Sequence, residues 1–134
     1  MMLEVFALSL ALVAEDPEIR YQSGDAALEI CGVSASDPVK LIEKVLALPN
    51  SVLVEQTDQY LTVSQSDPFR LWTLAINDHP AAPAVICRTF NSNANGGTEL
   101  LMEVSCFAKK AACDKLTADF AAHNRKVIEQ AGGQ

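Results

Sequence analysis

The chain has 134 residues, 49% hydrophobic and 20% charged, with 10 basic against 17 acidic side chains. That length suits one domain around one core, and the apolar fraction excludes a wholly disordered or low-complexity chain. The net charge of −7 argues against nucleic-acid binding, since Lys and Arg are what hold the phosphate backbone, and it favours a basic protein partner.

The acidity is uneven: residues 1–108 carry 5 basic and 14 acidic groups, whereas 109–134 carry 5 and 3. An acidic body with a mildly basic last segment follows.

Residues 5–14 form an apolar run closed by Glu15, Asp16 and Pro17. As a helix this run spans about 15 Å, half the hydrocarbon thickness of a bilayer, so no membrane span is expected. Its length fits the apolar region of a signal peptide, with Ala14 at the cleavage position and residues 15–134 as a single α+β domain. Glu4 and the lack of Lys or Arg ahead of the run depart from that pattern, although a start codon placed too late would account for them. The alternative is an N-terminal apolar helix or strand packed on the core. The first reading places the protein in the periplasm or outside the cell; the second leaves it cytoplasmic.

Between Glu15 and Gly24 the chain is polar and reads as irregular, with Asp16-Pro17 as a turn signal. Asp25 to Cys31 fits a short helix or a short strand equally well. Asp37-Pro38 is a helix start, N-cap followed by proline, and Val39, Ile42, Val45 and Leu46 keep a helical period over 38–48. The period then changes to two. Strands are expected at 51–56, 60–65, 69–76 and 84–90, and at 98–107, where Leu100, Met102, Val104 and Cys106 alternate with Glu99, Glu103 and Ser105. The loop 77–83 is too rich in proline for a central strand. From about 108 to 130 the helical period returns, with Cys113, Leu116, Phe120, Val127 and Ile128 on one stripe.

Short connections favour antiparallel neighbours, so the expected fold is α+β and two-layer. A roughly five-stranded antiparallel meander would be covered on one face by both the N-terminal helix (about 38–48) and the long C-terminal helix (about 108–130). Four cysteines allow three pairings, and the sequence alone does not choose among them. The nearest pair, Cys106 and Cys113, suggests Cys106–Cys113 with Cys31–Cys87. The alternative is four small buried apolar side chains in a reducing cytosol.

Chemistry is sparse. Neither phosphate-binding glycine motif occurs, and Gly96-Gly97 sits in a hairpin turn. No metal site is expected, because the cysteine spacings are not those of zinc motifs and His123 with Asp119 reads as a solvated helix face. No cofactor is implied. A thiol enzyme would have to use Cys87 or Cys31 with His79 and Asp78, yet mid-strand apolar surroundings raise a thiol pKa, so no catalytic residue is assigned. Glu99 and Glu103 would share the wet face of the last strand, with Leu101 between them. Trp72 reads as core, on one strand face with Leu74 and Ile76.

The stretch from Trp72 through Asn77-Asp78-His79-Pro80 to Arg88, with Cys106 to Asp114, resembles small exported proteobacterial proteins of uncharacterised function. The resemblance implies export and a small α+β domain, and brings no catalytic residues with it. The leading functional expectation is therefore a non-enzymatic exported protein with a binding role in the cell envelope, using the open sheet face or the 77–83 loop. Inhibition of a basic envelope-directed hydrolase would fit the charge. A small-ligand carrier is the alternative, with Trp72, Phe90, Leu116 and Phe120 lining a cavity between sheet and C-terminal helix. A thiol enzyme built on Cys87 and His79 stands behind both.

Overall fold

The computed structural model describes residues 18–92 and 96–132. The apolar run 5–14, and with it the choice between signal peptide and packed segment, lies outside them.

The meander is present. Strands β4 (Ser51–Gln56), β5 (Tyr60–Gln65), β6 (Arg70–Ala75), β7 (Ala84–Ser92) and β8 (Thr98–Cys106) each pair antiparallel with their chain neighbour. Helix α1 (Pro38–Leu46) begins where its cap requires: the Asp37 carboxylate accepts the Lys40 N–H at 2.8 Å, satisfying a donor with no intrahelical partner. Helix α2 (Lys110–Gly132) follows the last strand.

Two features correct the expected architecture. First, the sheet has six strands and is mixed. The segment expected to be irregular supplies β1 (Glu18–Gln22), which runs parallel to β8 with Ile19 opposite Met102 and Tyr21 opposite Val104. A parallel partner some eighty residues away leaves no local mark on a five-residue strand that is polar at alternate positions.

Second, the helices lie on opposite faces, giving three layers rather than two. Ile86, Met102, Val104 and Cys106 pack with Cys113 and Leu116 of α2, and the half-buried Phe120 and Ile128 join them. Val63, Trp72, Leu74, Val85 and Cys87 pack instead with Leu41 and Val45 of α1. Register explains the split. Trp72 stands opposite Cys87, and Cys87 opposite Glu103, so the apolar side of β6 continues into the polar side of β8. Strand β7 is apolar on both sides, and the run Ala84–Cys87 is wholly buried, as expected for a strand covered on both faces.

The undecided stretch after Asp25 is neither simple helix nor simple strand. A 3-10 turn (Gly24–Leu28) leads into a small hairpin, β2 (Glu29–Ile30) with β3 (Val33–Ser34). Its two turn residues, Cys31 and Gly32, both have positive φ (48° and 83°), the geometry of a tight two-residue hairpin. Glycine takes that conformation at little cost, whereas Cys31 is held there by the contacts described next.

Candidate functional site

The hairpin turn sits over the face of the sheet that carries Trp72. Cys31 pairs with Cys87 of β7 as a disulfide, Cα–Cα 6.6 Å. The Cys31 N–H donates to a Glu103 carboxylate oxygen at 3.1 Å, and the Cys31 carbonyl accepts from Arg70 Nη1 at 3.4 Å. Glu103 therefore does not lie on a wet face with Glu99: the hairpin covers it, and its carboxylate satisfies a backbone donor that burial would leave stranded. Glu99 stays exposed, and Leu101 is half-buried. On the opposite face, Cys106 pairs with Cys113 at a Cα–Cα distance of 5.8 Å, tying α2 to the end of β8.

The four residues expected to line one ligand cavity are not brought together. Trp72 is fully buried on the α1 face, its indole N–H donating to Gln65 Oε1 at 2.9 Å. Phe90, Leu116 and Phe120 belong to the cluster under α2, on the other side of the sheet. Nor do Cys87 and His79 form a catalytic pair. Cys87 is buried and disulfide-bonded. His79 Nδ1 accepts the Ala81 N–H at 2.9 Å, and its Nε2 meets the Tyr60 hydroxyl at 2.7 Å. These bonds fix the ring as the Nε2-protonated tautomer, and Ala82 N–H to His79 C=O and Phe107 N–H to Pro83 C=O pin the rest of the 77–83 loop. Asp78 lies near Gln59, and Asp119 pairs with Lys115 rather than with His123. Among the described residues, no group of three or more metal-ligating side chains occurs, and no helix is long and apolar enough to cross a membrane.

Sequence reasoning missed Arg88. This residue is only 6% exposed, and among the described residues no carboxylate pairs with its guanidinium. Its Nη1 reaches Asn124 Oδ1 at 3.5 Å, its carbon stands 5.5 Å from the Phe120 ring centroid, and its Nε has no partner. Burial lowers its pKa. It lies under α2, within the packed layer.

The exposed apolar surface is elsewhere, along the outer margin of β4. Three of the eight large apolar side chains exposed among the described residues lie there, Val52, Leu53 and Val54 on β4, and two more, Val39 and Leu46, lie on α1, each of the five between 44% and 63% exposed. Helix geometry sorts the sides of α1. Leu41 and Val45 point at the sheet. The flank with Lys40 and Lys44 faces the hairpin, where Lys44 Nζ donates to the Ser34 carbonyl at 2.6 Å beside a surface depression lined by Ser34, Ala35 and Ser36. Val39 and Leu46, seven residues apart and so on one face, lie on the side of α1 turned away from that flank.

The chain matches no family model, no curated protein and no solved structure. Function must therefore be argued from this surface itself. Its charges are acidic: Glu43 lies between Val39 and Leu46 on the helix, Glu55 follows Val54, and Asp58 sits in the next turn, all three exposed. Glu55 is within 3.4 Å of the Thr62 hydroxyl, and no cation pairs with any of the three among the described residues.

Proposed function

We propose that this protein is a non-enzymatic binding domain that works outside the cytoplasm, in the periplasm or beyond, and holds a basic protein partner. The observation that carries the reading is the exposed run Val52, Leu53, Val54 on the outermost strand, followed by the exposed acids Glu55 and Asp58, with Val39, Glu43 and Leu46 exposed on α1. Exposed single apolar residues are ordinary, but three in succession on a sheet edge, followed by acids, are what protein-binding surfaces present. Two disulfides support an oxidising compartment, since such bonds persist there and are rare in the cytosol. The likeness of 72–88 and 106–114 to exported proteobacterial proteins supports the same address. The acidic body would speed the encounter with a cationic partner and make it sensitive to salt.

A photo-crosslinking residue placed at Leu53, and in a second strain at Arg125 on the exposed side of α2, tests this in cells. The reading expects an adduct with a basic protein from position 53 alone, lost at high salt. No adduct from 53, or equal adducts from both positions, would reject it. Intact mass of the natively made protein tests export, with loss of residues 1–14 expected.

A further inference from the structure

The β4 margin is more than an apolar patch, because it is also the end of the sheet. Among the described residues no strand lies beyond β4, so its outward-facing N–H and C=O groups have no sheet partner. We infer that the partner binds by adding an extended segment to β4, with apolar side chains on the α1 side and Lys or Arg on the other. This rests on the reading above and names its mode.

Three features select this occupant. Register assigns the faces: Val52 and Glu55 pair with Ser64 and Thr62 and lie on the α2 side, whereas Leu53 pairs with Val63 and lies on the α1 side. An added strand thus meets Leu53 with one set of alternate side chains, and Val52 and Glu55 with the other. A lysine on the second set faces Glu55. Such strand addition takes affinity from backbone hydrogen bonds and specificity from alternate side chains.

The same surface disfavours a second copy of the chain. Each copy carries a net charge of −7, so two copies brought edge to edge would repel. The register shift between Leu53 and Glu55 is a bulge at Val54, which breaks the ladder in mid-strand. Bulges are a common means of keeping long edges from pairing with one another. What remains is a short unbroken stretch, Ser51–Leu53, suited to a short guest segment.

The test uses the full chain and a short capped peptide alternating lysine and valine. Two further versions carry N-methyl groups on all valine nitrogens or on all lysine nitrogens, each blocking one edge of the peptide while leaving every side chain in place. Strand addition predicts saturable binding with a dissociation constant on the order of 100 µM. One methylation pattern should weaken it by about tenfold, the other little, and Leu53→Lys should abolish it while Arg125→Ala leaves it unchanged. Equal binding by all three peptides would overturn strand addition and leave the broader reading standing, since side chains alone would then carry recognition. No binding by any peptide also overturns it, and the crosslink at position 53 then judges the broader reading separately. A dimer in sedimentation that Leu53→Lys dissociates would assign the margin to a second copy, again overturning the inference.

Discussion

The apolar runs Ala84–Cys87 in β7 and Val52–Val54 in β4 meet opposite fates. The first is wholly buried, with α2 on one face and α1 with the disulfide-tied hairpin on the other. The second is exposed on both faces. A continuous apolar run is the pattern of a strand that expects cover on both sides. In β7 the chain supplies that cover. In β4 the described chain does not, and the difference is the physical basis for assigning the missing cover to a partner.

The sharpest way to break the comparison is to place the same charge in both runs. Val85→Lys buries an unpaired ammonium between the sheet and α1 and should leave no cooperative unfolding transition in urea, since the cost of several kcal/mol rivals the whole stability of a small domain. Val52→Lys should shift that stability by no more than about 0.5 kcal/mol. Comparable losses in both would mean that β4 is covered after all.

The cross-links come next. Removing the Cys31–Cys87 bond with paired serines opens a loop spanning 56 residues, which the chain-entropy account values at about 4 kcal/mol. The same change at Cys106 and Cys113, only 7 apart, should cost about 2.5 kcal/mol by the same account. Urea unfolding of the two double variants measures both, and a reversed order would show that the hairpin's cover over Trp72 matters less than the tie between β8 and α2.

The smallest effect concerns the α2 side. Burial first, then the charges of Arg88 and Lys126, hold the His123 pKa below its usual value of 6.5. The unfolded chain therefore takes up this proton before the folded one does. Stability should fall slightly as pH drops below about 6.5 and level off once the folded protein is protonated too, the exposure of the ring keeping the effect small. Thermal melts between pH 7 and 5 should show this slope, and His123→Gln should remove it. A slope unchanged in the variant would assign it to another group.

How much of this was legible depended on whether the information was local. The start of α1 is written in Asp37-Pro38, and the strands β4 to β8 in short apolar or alternating runs separated by turn signals between Ser51 and Cys106. The parallel pairing of β1 was not legible, because Glu18–Gln22 is short and its partner is remote. Nor was the placement of the helices, because alternation defines two faces within each strand and only register says which faces join. Trp72 and Met102 each stand on the apolar side of their own strand, yet those sides face opposite ways. The run Ala84–Cys87 was a local hint of a sheet covered twice. Glu103 was misplaced for the same reason, since its polar side is the one the hairpin covers. The β4 margin could have been marked from Val52–Val54, three apolar residues without alternation, but only the structure shows that nothing described lies beyond them.

The central claim is that the outer margin of β4 is where a basic extended partner docks. Amide hydrogen exchange across the whole chain, with and without the lysine–valine peptide, tests it most directly. The account predicts slowed exchange confined to Ser51–Gln56. Peptide binding that leaves those amides unchanged, or that slows exchange in α2 or the 77–83 loop instead, would contradict it.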